Sequence, residues 1–234
     1  MPIKDKPSWI IGGVLIAAAV IAGFAVRANA DEPGPTALEP PAGTLSAAAA
    51  RAEIPYITVL DRAAPALGRP ATPPRYDRDA FGTPWLDTDG NGCDTRDDIL
   101  ARDARRSGGS VQTSNGCTVI AIDMTEPYAG KHVVGRGQID VDHVVPLKVA
   151  WVSGAYAWQA RPRIRLANDP RNLLAVDDQT NQHVKGDKTP DRWMPAPPAR
   201  CEYARMYVTI LKAYELPALA ATRTALADTL RGCP

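Results

Sequence analysis

The densest group of chemically capable side chains is Asp140-Val141-Asp142-His143, which runs into the apolar stretch Val144-Val145-Pro146-Leu147. Two carboxylates and an imidazole beside β-branched neighbours are costly to bury, because unpaired charge is expensive away from water. An imidazole with an ordinary pKa of about 6.5 can take a proton from water at neutral pH. A carboxylate can hold Mg²⁺, which prefers oxygen ligands and keeps waters and substrate phosphates in its shell. Acid plus histidine is therefore the minimum kit for a metal-activated hydrolysis. The chain has 3 histidines, His132, His143 and His183, so few residues compete for the role of base.

A second polar stretch follows. Asn168-Asp169-Pro170-Arg171-Asn172 leads into Leu173-Leu174-Ala175-Val176, and then comes Asn181-Gln182-His183-Val184-Lys185-Gly186-Asp187. An Asn in a loop can bond backbone on both sides, since its amide carries donors and an acceptor. Asn181 and Lys185 stand at i and i+4 and fall on one helix face. A ligand on that helix would close a metal site from the side opposite Asp142.

The elements that must position these residues are legible in outline. Residues 94–106 and 147–158 predict helices, the second interrupted by Gly154. Residues 111–124 and 133–145 are β-prone, and Asn115-Gly116 is a hairpin turn signal. Residues 173–176 predict a short strand, and 177–185 a turn and then a helix. Helices at 202–214 and 218–230 are divided by Pro217. The acid-histidine cluster thus sits in a β…β-α arrangement. In a regular strand Asp142 and His143 point to opposite faces. They share one site only where the strand bends or ends, and Pro146 marks such an ending.

The rest of the chain sets bounds. Lys4 and Lys6, the apolar run 9–26 and Ala28-Asn29-Ala30 predict an export signal over residues 1–30, cleaved or kept as a membrane anchor. Either outcome puts the remainder outside the cytoplasm. Residues 31–53 predict a flexible Pro/Ala-rich linker, and 54–234 the folded domain. The formal charge of +1 hides an asymmetry: residues 31–130 carry 9 basic and 15 acidic side chains, residues 131–234 carry 15 and 10. A basic C-terminal half suits a polyanionic partner as well as an ordinary solvated surface. Cys93, Cys117, Cys201 and Cys233 fit two disulfides in an oxidising compartment, with sequence-local pairing expected among three possibilities. Asp87-Thr88-Asp89-Gly90-Asn91-Gly92, with Asp98 at the twelfth position, matches the start of an EF-hand calcium loop. Asp98 replaces the usual Glu, and Pro84 and Cys93 suit an EF-hand poorly, so a structured turn leading into a disulfide is the preferred reading.

Taken in order, Asp142-His143-Val144-Val145-Pro146-Leu147, Ala150-Trp151-Val152-Ser153-Gly154-Ala155, Asn168-Asp169-Pro170-Arg171-Asn172-Leu173-Leu174, and Lys185-Gly186-Asp187 with Trp193-Met194-Pro195 resemble the HNH endonuclease family. The likeness is to an exported bacterial branch related to the C-terminal nuclease domain of type IV modification-dependent restriction enzymes. Asn91-Gly92-Cys93-Asp94-Thr95-Arg96 and Gly116-Cys117 share it, and it spans roughly residues 81–203.

The resemblance implies an α+β fold with a ββα-metal (His-Me finger) core and surrounding helices. It implies His143 as general base, Asn172 as the residue bracing the catalytic loop, and Asp142 as a ligand of one divalent ion. That ion would be Mg²⁺, with Mn²⁺ or Ca²⁺ as substitutes. Asn181, or alternatively His183, would be the second ligand, because the family's helix carries its ligand three residues before the Lys, where this chain has Gln182. Lys185, Arg136 and Arg96, with Lys148 and Arg171, would meet phosphates. The expected activity is hydrolysis of DNA or RNA phosphodiesters with little sequence preference, with nucleic acid, DNA first, as partner and no protein partner inferable. The competing expectation is a noncatalytic envelope protein that binds nucleic acid or calcium on the same fold.

Overall fold

The computed structural model describes residues 40–60 and 72–234. The predicted export segment, the first part of the predicted linker and residues 61–71 lie outside the described residues. The helices are α1 (Ala47–Glu53), α2 (Thr95–Arg106), α3 (Leu147–Val152), α4 (Ala160–Ala167), α5 (Arg200–Ala213) and α6 (Ala220–Arg231). The strands are β1 (Ser110–Ser114), β2 (Thr118–Thr125), β3 (His132–Val134), β4 (Ile139–His143) and β5 (Leu173–Asp177). Among the described residues no helix is long and apolar enough to cross a membrane.

The strands make two antiparallel sheets. β1, β2 and β3 pair in that order, and the β1–β2 turn is closed by Asn115 and Gly116, both at positive φ. That conformation is the one an Asn-Gly hairpin turn demands. β4 and β5 form a separate ribbon in which Asp142 lies opposite Leu174 and His143 opposite Leu173. Its two faces serve two cores. Ile139, Val141, Leu173 and Ala175 pack with Ile99, Leu100 and Ala104 of α2 and with Val119, Ile122 and Met124 of β2. Leu174 and Val176 join the larger core with Ala150 and Trp151 of α3, Tyr203, Met206 and Ile210 of α5, and Leu226 and Leu230 of α6. β5 is therefore buried along its whole length.

Sequence signals place most helix ends. Asp94 caps α2 by accepting the Asp97 N–H at 2.8 Å, and Arg105 and Arg106 sit in its last turn, where positive charge suits the helix dipole. The disulfides are Cys93–Cys117 and Cys201–Cys233, the sequence-local pairs. The acidic turn before Cys93 satisfies itself. Asp87 accepts the N–H groups of Gly90 and Gly92, and the Asn91 amide donates to Asp89 and Asp98.

The β-prone stretch expected over 133–145 divides into β3 and β4, which belong to different sheets, and two helices were not expected. The last residues of the linker expected over 31–53 form α1, because Ser46 caps a run of alanines and Ala47 and Ala50 are buried in the larger core. α4 was not anticipated in its Arg-rich sequence. Pro162 sits in its first turn, where a missing N–H is tolerated. If α1 belongs to the core, Ala50→Asp strands a carboxylate there and lowers the unfolding free energy by about 3 kcal/mol or more. The exposed neighbour Ala52→Asp shifts it by less than about 0.5 kcal/mol in the same denaturation experiment.

Candidate active site

β4 keeps its pleat to its last residue, so Asp142 and His143 diverge. On one side the Tyr128 hydroxyl donates to Asp142 Oδ2, and Lys185 Nζ lies 2.9 Å from Oδ2 and 3.1 Å from Oδ1. On the other side His143 Nε2 lies 2.9 Å from the Ala167 carbonyl oxygen. The His143 ring also stacks on Trp85, with centroids 6.0 Å apart and planes 12° from parallel.

The loop after β4 is held by Asn172, which is fully buried. Its Oδ1 accepts the Val145 N–H at 2.8 Å and its Nδ2 donates to the Val145 carbonyl at 3.2 Å. Its own carbonyl accepts the Val144 N–H at 2.8 Å. These bonds extend the β4–β5 ladder past the point where the strand ends, and they fix the backbone that carries His143.

Beyond β5 the chain turns into a π-helical turn, Thr180–Lys185. Asp177 starts it by accepting the Thr180 N–H and hydroxyl, and the Gly186 N–H bonds the Asn181 carbonyl five residues back. A π turn accommodates one residue more than an α turn. The residues from Asn181 to Lys185 thus lie within a turn wider than an α-helical one. Lys185 has 0% exposure. It donates to Asp142, to the His143 carbonyl at 3.0 Å and to the Gly186 carbonyl at 3.4 Å.

Burial and charge set the protonation states. Burial pushes the His143 imidazole down to about 4, the Arg78 and Lys185 charges add to this, and the Ala167 carbonyl opposes it. His143 is neutral at pH 7 as a result. Nε2–H donating to Ala167 would leave Nδ1 as the open acceptor. Burial also raises the Asp142 carboxyl above the ordinary range, against the opposing pull of Lys185 and Tyr128.

Of the side chains expected to form the site, some are brought together and others are not. Asp142, His143, Asn172 and Lys185 meet around the end of β4. The expected Asp142–Asn181 ligand pair is not assembled. Asn181 and Gln182 instead point amides at Asp140 Oδ2, at 3.3 and 2.9 Å, and His183 is exposed. Asp142 is saturated by an ammonium and a hydroxyl and does not fit as an open ligand. Among the described residues no three His, Cys, Asp or Glu side chains gather where a metal ion could bind.

The side chains expected to meet phosphates lie in different settings. The Lys185 ammonium is sealed inside the fold. Arg96 lies against Asp140 at 3.6 Å and the Ile139 carbonyl at 3.3 Å. Arg171 is paired bidentately with Asp169, and Lys148 pairs with Asp187. Arg136 stays half-exposed, 4.0 Å from Asp97. Tyr128, Trp85 and Arg78 were not anticipated. They lie 15 to 65 residues before His143, and no local spacing marks them.

Residues 94–229 match the family described as GmrSD restriction endonucleases, C-terminal domain, and the chain belongs to that family. HNH-like nucleases of this kind typically use a divalent metal. The chain is also similar to an uncharacterized secreted protein of Arthroderma benhamiae, 37% identical over 161 residues that cover 68% of this chain and 76% of that one. With its two disulfides, this makes it a protein of the secreted, extracytoplasmic kind. No solved structure matches it significantly.

Two outcomes test the site's construction. Asn172→Ala leaves the Val145 N–H and carbonyl without their partners and costs about 2–4 kcal/mol by denaturant titration. His143 contributes stability that is complete above pH 6.5, where the unfolded imidazole is neutral too, and that is lost as pH falls toward about 4. Between those limits, in EDTA, wild type should lose about 3 kcal/mol more than His143→Gln. Parallel pH profiles for the two proteins would contradict the neutral, buried imidazole.

Proposed function

We propose that the protein is an exported endonuclease that hydrolyses phosphodiester bonds of nucleic acid, DNA first, with little sequence preference. The observation that carries this reading is His143: a neutral imidazole, fixed through one nitrogen by a backbone carbonyl, with its loop braced by Asn172. Such a group is unprotonated at neutral pH and held in place to accept a proton, the state a general base must start from. It takes the proton of a water as that water attacks phosphorus; the bond from phosphorus to the sugar oxygen breaks, and that oxygen leaves with the electron pair and takes a proton from solvent. Asn172 and Lys185 act by position, holding the peptide that joins His143 to Val144 from both sides, one at its N–H and the other at its carbonyl.

The cleft in front of His143 offers a cavity of about 50 Å³. That leaves room for water beside the imidazole. On this reading the substrate is held by its phosphates rather than by its base edges, a mode of contact that carries little sequence information. Mg²⁺, with Mn²⁺ or Ca²⁺ as substitutes, is the cofactor this reading takes from the family. The rival reading is a noncatalytic nucleic-acid-binding protein of the envelope. The buried Lys185–Asp142 pair is the observation on its side, since it occupies the carboxylate a metal would need.

Supercoiled plasmid incubated with the purified protein should be nicked and degraded with Mg²⁺ and left intact with EDTA. His143→Ala should lower the rate by about 10²-fold or more, the usual range for loss of a general base. Plasmid that is retarded on a gel but equally intact with wild type and His143→Ala, across Mg²⁺, Mn²⁺ and Ca²⁺, would favour the binding role.

A further inference from the structure

The cleft that His143 faces has a wall outside the family-matched residues. Arg78, Gly82 and Trp85 line it from one side, and His143 and Ala167 from the other, whereas the match begins at residue 94. The wall is fixed in place. Arg163 Nε donates to the Ala80 carbonyl at 2.8 Å, and Asn168 Oδ1 accepts the Leu86 N–H at 3.0 Å. Gly82, at φ +84°, packs so closely on α4 that a Cβ there would lie 2.7 Å from Ile164 Cγ1. Trp85 is held at φ 61°, a costly conformation for a bulky residue, with its ring against the imidazole. A segment held this firmly, and with local strain, forms a built surface.

Charge gives that surface a task. Two cations act on the imidazole, Arg78 and Lys185. Lys185 is sealed on Asp142 and cannot meet a substrate. Arg78 is exposed at the cleft mouth. Asp79 also lines the cleft, so the mouth is not simply cationic. A guanidinium is suited to this place, because its planar fork pairs with two phosphate oxygens at once. Arg96, Arg171 and Lys148 each face a carboxylate already.

We propose, resting on the nuclease reading above, that Arg78 binds the scissile phosphate beside His143, which makes residues 78–86 part of the active site. The test compares wild type, Arg78→Gln, Arg78→Lys and the control Arg75→Gln, which alters an exposed arginine three residues upstream that does not line the cleft. Cleavage of a short DNA duplex gives KM and kcat. Binding of the same duplex in a His143→Ala background, over a range of salt, gives the number of phosphate contacts. Arg78→Gln should raise KM about tenfold and make the slope of log Kd against log salt shallower by about one. Arg78→Lys should keep the slope while losing part of the affinity. Arg75→Gln should match wild type. If Arg78→Gln behaves as Arg75→Gln does while wild type cuts, the assignment of Arg78 is overturned and the nuclease reading stands. If wild type neither cuts nor binds the duplex, both fall.

Discussion

The Lys185 ammonium is the point on which the surrounding structure turns. A charge with no solvent exposure carries a desolvation penalty of several kcal/mol, and it persists only where oxygens surround it. Here they do: the Asp142 carboxylate, the His143 carbonyl and the Gly186 carbonyl. One side chain therefore ties the π turn to the end of β4. It neutralises Asp142 and adds positive potential behind His143. Removing it would leave a buried carboxylate paired only with a tyrosine hydroxyl, the kind of loss that costs far more than the intact pair contributes.

This arrangement depends on the β4–β5 ribbon running between two cores. Antiparallel pairing places Val141 with Ala175 on one face and Asp142 with Leu174 on the other. The apolar members satisfy the cores, and the polar members are left at the end of the strand, where the π turn and α4 reach them. Buried acids elsewhere follow the same logic. Glu126 accepts N–H groups from Tyr128, Ala129 and Lys131 of its own turn, and Asp103 accepts from Arg102, Arg106 and the Ala175 N–H. Charge is admitted to the interior where backbone or guanidinium donors surround it.

Much of the framework was legible because its signals are local. Asn115-Gly116 fixed a hairpin, Asp94 a helix start, and Pro217 a helix boundary. The sequence-local pairing of the four cysteines matches the disulfides found. The features that were not legible arise from distant contacts. Lys185 has the composition of a surface residue and becomes interior only because β4, 43 residues away, supplies its acceptors. The Ala-rich stretch before residue 54 has a linker's composition, yet small side chains are also what lets a helix sit closely on α5 and α6. The divergence of Asp142 and His143 followed from strand geometry. The neighbours that separate them, Tyr128 and Trp85, carried no pattern in sequence.

The wall at residues 78–86 bears on where this protein begins as a working unit. The family match starts at residue 94, and a fragment cut there would retain both sheets, the π turn and every helix from α2 onward. It would also discard Cys93, leaving Cys117 unpaired, and it would open the imidazole to bulk water by removing Trp85. The family-matched region and the set of residues around the His143 cleft thus have different edges. Residues 78–86, upstream of the matched region, are what close one side of the cleft at the end of β4.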